Sequence, residues 1–228
     1  MVGEASEAVN AGILAPNQDE VPGRAERPAT DLYPPCGMPQ PESTAHPIPA
    51  MSEALEFEAT LFPNPVLRKV ADPITAFDDA LKRTVEAMYT RMFESQGVGL
   101  AAPQVGLRQR ILVVNETGDA KEADQNLTLI NPQIVARSGK KVLLEEGCLS
   151  FPGIYAEIER LDGCVVEAQD IEGNPIRLEL EGFLSRIVQH EFDHLEGILL
   201  VDRMSPADKI RNKGELEELK YMYLESKR

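Results

Sequence analysis

The sequence predicts a single domain of the α+β class, in which short antiparallel or mixed β-sheets surround a buried central helix and a further helix follows at the C-terminus. Three observations predict this class. An amphipathic helical pattern comes first, a run of strand-like segments follows it, and a helix that is apolar on most sides comes after the strands. Because such a helix has no polar face for solvent, we expect it to pack among the strands.

The composition limits the class of protein. The chain has 228 residues, 43% of them hydrophobic, which is enough for one core. A net charge of −15 argues against DNA or another partner held mainly by phosphate charge. No apolar run approaches the roughly 18 residues of a membrane helix, and the N-terminus lacks the basic and apolar regions of a secretory signal. Three cysteines without framework spacing indicate reduced thiols, so we expect a cytoplasmic protein without a membrane partner.

Residues 1–50 differ from the rest of the chain. They are rich in proline and small polar residues and poor in aliphatic ones, which predicts a disordered, acidic N-terminal extension. Seven acidic residues stand against two arginines here, which is unlike an organelle transit peptide. Two interpretations of this segment are possible: it is an inert tail, or the true start of the protein is Met51. We expect Cys36 and His46 in this segment to be neither ligands nor nucleophiles.

The globular part begins with a helix over residues 77–95. Asp78 and Asp79 suit its start. Its apolar residues recur at helical spacing, as expected for a stripe that faces the core: Leu81, Val85, Met88, Tyr89, Met92 and Phe93. After the glycine-rich GVGLAAPQVG, short strands are predicted at RILVVN, LTLINPQIVAR and KKVLLEEG. Residues 154–180 predict two or three more strands with a turn at EGNP.

The buried central helix is predicted over residues 182–200, GFLSRIVQHEFDHLEGILL. A last helix covers residues 206–228. Ser205 is a suitable N-cap for it, Pro206 fits the first turn and Asp208 completes a capping-box pattern. Gly214 is expected to weaken or interrupt this helix. The chain thus divides into the extension, a functional domain over residues 51–205 and the C-terminal helix.

The central helix carries QHEFDHLEG, in which His190 and His194 are four residues apart and Glu191 stands between them. On a helix, both imidazoles project from one face. Histidine and glutamate rarely enter a core without partners. A divalent cation is such a partner, because it binds two neutral imidazole nitrogens and leaves the carboxylate beside a bound water. We therefore predict a metal site here rather than a chance match on a surface helix.

The third metal ligand has two possible sources. Zinc peptidases with this motif complete the site with a downstream Glu or His. No further His follows here, but Glu196, Asp202 and Glu215 do. The better candidate is Cys148, in EEGCLSFPG at the end of a predicted strand, although spacing alone also allows a small buried hydrophobe at this position. Cys164 has the alternation of a packed strand residue.

The glycine-rich GVGLAAPQVG, residues 97–106, is a different kind of loop from the nucleotide-binding ones. It lacks the GxGxxG spacing of a dinucleotide loop and the Lys-Ser/Thr of a phosphate loop. Its glycines would let the backbone come close to a ligand. Gln104 offers a neutral side-chain amide that is suited to stabilise a developing oxyanion.

Taken in this order, GVGLAAPQ, EGCLS and QHEFDH are similar to the three signature motifs of the peptide deformylase family. LFPNPVLRKVADPI resembles the opening of that family as well. The resemblance covers roughly residues 57–205 and does not cover the first 50. It implies a metal-dependent hydrolase that removes the formyl group from the N-terminal formylmethionine of nascent polypeptides and releases formate.

The resemblance also implies roles for individual residues. Cys148, His190 and His194 would bind one metal ion per chain, natively ferrous iron, with zinc, nickel or cobalt as possible substitutes. A metal-bound water would attack the formyl carbon, with Glu191 as general base and then acid. The Gln104 side-chain amide and the backbone N–H of Leu149 would stabilise the oxyanion.

The same resemblance implies how the substrate is held. Val98 and Gly99 would pair their backbone with the nascent peptide. The methionine pocket would be lined by Glu146, Ile187 and Val188. At position 151 many relatives have a smaller aliphatic residue, so Phe151 is expected to alter the rim of that pocket.

The remaining expectations concern partners. We expect a monomer in the bacterial cytoplasm that docks on the ribosome near the exit tunnel through its C-terminal helix; a merely solvated helix is the alternative. Two rival functions are a zinc endopeptidase, which would retain its metal without Cys148, and a non-enzymatic binder of formylated N-termini, which would have no use for Glu191.

Overall fold

The computed structural model describes residues 55–228. The predicted extension over residues 1–50, the alternative start at Met51, and Cys36 and His46 lie outside the described residues. None of the helices among residues 55–228 is long and apolar enough to cross a membrane.

The first helix, α1 (Asp79–Glu94), starts where the sequence predicts it. The Asp78 side chain caps it by accepting a hydrogen bond of 3.0 Å from the backbone N–H of Leu81. Its buried stripe contains Leu81, Val85, Met88 and Met92, as the helical spacing predicts. The helix therefore presents one apolar face to the sheet.

The strands form one five-stranded sheet, which confirms the α+β class. Their bounds are β1 (Gly99–Ala101), β2 (Ile111–Asn115), β3 (Asn126–Cys148), β4 (Phe151–Gln169) and β5 (Pro175–Glu181). They lie in chain order and every neighbouring pair is antiparallel. Since each strand pairs with the next one along the chain, the sheet is a meander rather than several small or mixed sheets.

Strand β3 differs from the expectation because it joins two predicted strands into one. Only Ser138 and Gly139 separate these two predicted strands in sequence. In the structure Gly139 adopts a φ of 81° inside β3, and the pairing with β4 shifts register between Ser138 and Lys141. A β-bulge thus absorbs the glycine, and the strand continues to Cys148.

The central helix, α2 (Gly182–Leu195), has ten buried residues, as predicted for a helix inside the core. It ends earlier than the expected residue 200. Gly197 adopts a φ of 70°, and a Cβ on it would lie 2.7 Å from the carbonyl oxygen of Arg68. Glycine at this position therefore lets the chain turn away into the short α3 (Leu200–Arg203).

The C-terminal segment forms two helices, α4 (Pro206–Arg211) and α5 (Lys213–Glu225). Ser205 caps α4 as predicted, its hydroxyl accepting a hydrogen bond of 3.1 Å from the backbone N–H of Asp208. The break falls at Asn212 rather than at Gly214. The buried residues of α5 are Leu216 and Leu219, which pack against the same hydrophobic cluster as the first half of β4.

Strand β2 lies between two helices. Ile111 and Val113 belong to the hydrophobic cluster that contains α1, whereas Leu112 and Val114 belong to the one that contains Val188 of α2. Because successive side chains of a strand point to opposite faces, the two helices cover opposite sides of the sheet. This packing holds α2 against the strands through Val188, which is two residues before His190.

The packing of α5 can be tested by a matched pair of leucines. Leu219 is 6% exposed and Leu224 is 61% exposed on the same helix. Leu219→Ala should lower the free energy of unfolding by about 2–5 kcal/mol, because it leaves a cavity in the core. Leu224→Ala should change it by less than about 0.5 kcal/mol. Urea denaturation followed by circular dichroism measures both, and equal losses would contradict the orientation of α5.

Candidate metal centre

The end of β3 and the middle of α2 bring three metal-ligating side chains together. Cys148 is the last residue of β3, and His190 and His194 lie one turn apart on α2. One ligand atom from each of the three lies within 4.8 Å of the other two. The Cys148 Sγ and the His194 Nε2 are 3.3 Å apart. His190 is 9% exposed and His194 is 1% exposed, so the cluster is largely shielded from solvent.

The donor set fits a transition-metal ion. Bonds of 2.0–2.3 Å in a tetrahedral arrangement place ligand atoms roughly 3.3–3.8 Å apart, which the measured sulfur–nitrogen separation matches. A thiolate with two imidazoles suits iron, zinc, cobalt or nickel better than magnesium or calcium. Three protein donors also leave one position for water or substrate, as in catalytic rather than structural sites.

The downstream carboxylates lie elsewhere. Glu196 binds Arg110, with 2.6 Å between carboxylate oxygen and guanidinium nitrogen. Asp202 binds Arg68 and caps α3 by accepting from the backbone N–H of Leu199. Glu215 is exposed on α5. Among the described residues the geometry therefore favours Cys148 as the third donor.

The two histidines have opposite pKa shifts. Burial and the neighbouring charge of His190 hold the pKa of His194 well below its ordinary value. Burial also acts to lower the pKa of His190, but contacts with Cys148 and Glu146 outweigh it and raise that pKa well above 6.5. Since a metal takes the place of a proton on an imidazole, metal uptake should release protons and weaken at low pH.

Glu191 is a buried carboxyl group beside this cluster. It is 5% exposed, and burial raises its pKa from 4.5 to about 7. Its Oε2 has no hydrogen-bond partner within the described part of the chain. A Cβ on Gly99 would lie 2.8 Å from its Oε1, so glycine is needed for β1 to pass this close. Glu191 thus has a free oxygen and a proton affinity suited to proton transfer near neutral pH.

Gln104 is held in one orientation. Its Oε1 accepts a hydrogen bond of 2.7 Å from the backbone N–H of Ala101, so the Nε2 points the other way, to a position 3.7 Å from the Cys148 Sγ. Leu149 follows Cys148 in the two-residue turn between β3 and β4. Both residues predicted to stabilise an oxyanion therefore stand next to the cluster.

Behind His190 lies a set of paired charges, which we call the charge network. Glu146, Arg160, Arg186 and Asp193 are its buried members, and the exposed Arg203 binds Asp193 at its edge. Glu146 faces the Nδ1 of His190 at 2.9 Å. Burial alone would raise the pKa of Glu146, but hydrogen bonds from His190 and Arg160 hold it well below its usual range. Since an ionised carboxylate only accepts, the Nδ1 of His190 carries a hydrogen, and its Nε2 is the atom at which a metal would replace a proton.

Sequence reasoning missed most of this network. It assigned Glu146 to the methionine pocket and gave no role to the arginines or to Asp193. A signal was present: Arg186 and Asp193 interrupt an apolar helix, and Arg160 lies on the buried face of β4. Charged residues inside a core need partners, but their partners lie on other elements at no fixed spacing in sequence.

A cavity of about 520 Å³ opens onto the cluster. It is lined by Val98, Gly99, Glu146 and Ile187 as predicted for the substrate, together with Gln104 and Leu149. Val188 does not line it. This residue is fully buried in the hydrophobic cluster between α2 and the sheet, because neighbouring helical residues point about 100° apart.

Phe151 also lies in a different place from the expected pocket rim. Its side chain is fully buried and stacks on Phe62, with ring centroids 4.9 Å apart. It belongs to the cluster under β4 that also contains Leu216 and Leu219. It therefore lines the cavity as a residue of the core rather than as a residue of the exposed rim.

The fold and the site together define a class: an α+β protein with an HExxH helix and a strand-borne cysteine around a candidate catalytic metal centre. Residues 58–210 match the family model described as polypeptide deformylase. A peptide deformylase from Thermotoga neapolitana is 45% identical over 163 residues, which cover 72% of this chain and 96% of that relative. Peptide deformylase 1B of Arabidopsis thaliana, chloroplastic/mitochondrial, is 43% identical over 178 residues, covering 75% of this chain and 65% of that protein.

Solved structures agree with the sequence relatives. A peptide deformylase from Plasmodium falciparum superposes with a TM-score of 0.71 at 43% identity, covering 73% of this chain and 96% of that one. The enzyme from Thermotoga maritima gives a TM-score of 0.62 at 45% identity, covering 67% and 99%. This chain belongs to the polypeptide deformylase family, metal-dependent enzymes that act on nascent formylated peptides.

The raised pKa of Glu191 predicts a cost in stability. An acid whose pKa rises from 4.5 to about 7 on folding destabilises the folded chain once the pH exceeds 4.5, and the loss is complete above about pH 7. In chelator-treated protein, Glu191→Gln should therefore raise the free energy of unfolding at pH 8 by up to about 3 kcal/mol, with almost no effect at pH 4.5.

Urea denaturation at the two pH values measures this difference. Glu86→Gln, on the exposed face of α1, is the matched control and should change the unfolding free energy by less than about 0.5 kcal/mol. Equal unfolding free energies of wild type and Glu191→Gln at pH 8 would contradict the raised pKa.

Proposed function

We propose that this chain removes the formyl group from N-terminal formylmethionine of nascent polypeptides and releases formate, with Glu191 as the proton-transfer group. The observation that carries the proposal is the free Oε2 of Glu191, buried beside the Cys148–His190–His194 cluster at a cavity open to substrate. The family membership supplies the reaction, and the geometry supports this distribution of roles.

Cys148, His190 and His194 would hold one metal ion, which we propose to be ferrous iron in the cell; zinc, nickel or cobalt fit the same donors. When bound, the ion lowers the pKa of a water molecule and polarises the formyl oxygen. The thiolate donor also makes a ferrous site sensitive to oxidation. A purified sample should therefore lose activity in air if its metal is iron.

Glu191 transfers the proton twice. Its pKa of about 7 lets it accept a proton from the attacking water near neutral pH and later donate it to the leaving amine. Burial keeps this carboxyl group away from bulk water, so its proton goes to the reacting groups. The products are formate and a peptide with a free α-amino group.

Gln104 and Leu149 stabilise the charge that develops on the formyl oxygen. The bond from Ala101 N–H to the Oε1 of Gln104 turns the Nε2 into the site, where one of its hydrogens faces the Cys148 Sγ at 3.7 Å and the second can reach the formyl oxygen. The backbone N–H of Leu149 is the second donor. Since both groups are positioned before the substrate arrives, they need little rearrangement in the transition state.

The cavity walls position the peptide. Val98 and Gly99 precede and begin β1, and their backbone would pair with the substrate backbone, while Ile187 and Glu146 would bound the methionine side chain. Position 99 also needs glycine for packing, because a larger residue would collide with Ile187 and Glu191. Val188 shapes this pocket only through its packing behind Ile187.

Activity and metal content of four proteins test the assignment. After anaerobic purification, wild type should release formate from formyl-Met-Ala-Ser. Glu191→Ala should retain the metal and lose nearly all turnover, whereas Cys148→Ala should lose both. Gln104→Ala should retain the metal and lose about 100- to 1,000-fold in kcat. Retained metal in Cys148→Ala with internal cleavage of unformylated peptides would instead support an endopeptidase, and binding without turnover by wild type would support a binder.

We also propose that the chain acts as a monomer in the bacterial cytoplasm and docks on the ribosome near the exit tunnel through α4 and α5. Three lysines on these helices support the docking: Lys209 and Lys213 are exposed, and Lys220 is half-buried and pairs with Glu217 at 2.8 Å. Deletion of residues 206–228 is a poor test, since Leu216 and Leu219 are part of the core.

Charge reversal tests the docking without disturbing the core. The triple variant Lys209→Glu, Lys213→Glu and Lys220→Glu should lose co-sedimentation with ribosomes at low salt. The control reverses three exposed cations elsewhere, Lys69, Lys82 and Arg83, and should still co-sediment. Equal pelleting of both variants and wild type would end the docking proposal and leave α5 as a solvated helix.

A further inference from the structure

One side chain of the charge network, Arg186, connects the elements that supply the candidate metal ligands. It lies on α2 one turn before His190, so the two project from the same side of the helix. Arg186 is 6% exposed. A guanidinium buried to this degree needs hydrogen-bond acceptors for its N–H groups. The positions of these acceptors show which parts of the chain Arg186 connects.

All the acceptors of Arg186 lie on the β3–β4 hairpin. Its Nη1 donates to the Oε1 of Glu146 at 2.6 Å and to the carbonyl oxygen of Ile158 at 3.0 Å. Its Nη2 donates to the carbonyl oxygen of Val142 at 2.6 Å. One helix-borne guanidinium therefore binds both strands of the hairpin and the carboxylate that faces His190.

The neighbouring arginine cannot replace these contacts. Arg160 binds Glu146 through its Nε at 2.7 Å and its Nη2 at 3.0 Å, but both residues belong to the hairpin. That pair orders the two strands relative to each other. Its link to α2 runs through Asp193, on the next turn after His190. On α2, His190 also contacts Glu146 and Gln189 donates to the carbonyl oxygen of Leu161, whereas Arg186 binds Glu146 and the backbone of both strands at once.

The ligand set is divided between the same two elements. Cys148 comes from β3, two residues after Glu146, whereas His190 and His194 come from α2. The distance between the thiol and the imidazoles thus depends on how α2 sits against β3. We infer that Arg186 is a positioning residue of the metal centre, which clamps α2 to β3 and turns the Glu146 carboxylate towards the Nδ1 of His190.

This inference rests on the proposed function, because it takes the three-residue cluster to be a metal site. It adds a residue that touches neither metal nor substrate. Outer residues that orient a metal-binding histidine typically account for about 10- to 100-fold in metal affinity. Removal of the guanidinium should therefore raise the metal dissociation constant by about that factor.

Cobalt binding to the full chain measures this effect independently of turnover. Competition of Co²⁺ with a chromophoric chelator gives the dissociation constant, and the cobalt–thiolate absorption reports the ligand geometry. Arg186→Met, which keeps the length of the side chain without its donors, should bind Co²⁺ about 10- to 100-fold more weakly with altered absorption. An unchanged dissociation constant and spectrum would overturn the inference.

A double-mutant cycle tests the route of the effect. If Arg186 acts through Glu146, then Arg186→Met should weaken Co²⁺ binding by less than about twofold in a Glu146→Gln background. Additive losses in the double variant would show that the arginine does not act through Glu146 and would overturn its proposed role in orienting His190.

Arg110 provides the matched control. Its side chain is 12% exposed, and it likewise binds one carboxylate, Glu196, and one backbone carbonyl, that of Pro132. Arg110→Met should reduce stability but leave the Co²⁺ dissociation constant within about twofold of wild type. Equal weakening by both arginine variants would assign the effect to lost stability and refute the inference.

The Co²⁺ titration of the wild type distinguishes a failure of the proposed metal centre from a failure of the role of Arg186. A wild type that binds no Co²⁺ through Cys148 would refute the metal centre of the proposed function, and this inference with it. A wild type that binds Co²⁺ tightly, beside an Arg186→Met variant that binds it equally, would leave the proposed function intact and refute only the role of Arg186.

Discussion

The whole structure depends on burying a helix that carries ionisable side chains. Ten residues of α2 are buried, and they include Arg186, His190, Glu191 and Asp193. Charged groups inside a core are strongly destabilising unless they are paired. The hairpin of β3 and β4 meets this requirement, because Glu146 and Arg160 supply the matching charges. The long strands β3 and β4 thus supply charged partners to α2, a helix that lies much later in the chain.

The charged groups of α2 are not all paired, and the exception, Glu191, lies where the reaction is expected. Arg160, Arg186 and Asp193 each have short hydrogen bonds to charged partners, whereas the Oε2 of Glu191 has none in the described part of the chain. An unpaired buried polar oxygen costs stability, and Gly99 packs closely against the other oxygen of the same carboxyl group, Oε1. A site that would be more stable with a neutral residue at position 191 retains a carboxyl group because proton transfer requires one.

Sequence alone predicts the parts of this structure that depend on neighbours along the chain. The spacing of His190 and His194 fixes their common helix face, Asp78 lies at a helix start as expected, and Ser205 is the N-cap that it was predicted to be. Where the outcome depends on distant contacts, the sequence is insufficient. The bulge at Gly139 continues a strand that local pattern divides, and the contact of Gly197 with Arg68 ends α2 early. The charge network joins four elements, β3, β4, α2 and α3, so no local spacing reveals it.

Two glutamates near His190 show how environment assigns roles to identical side chains. Both are buried, and burial alone raises the pKa of each. For Glu146, hydrogen bonds from His190 and Arg160 reverse this effect, so it stays ionised and orients the imidazole. For Glu191, whose Oε2 has no hydrogen-bond partner among the described residues, burial outweighs the nearby charges of His190 and Arg160, and its pKa rises to about 7. When neighbours separate the pKa values of two carboxyl groups in this way, the ionised one serves as a fixed charge and the other as the proton carrier.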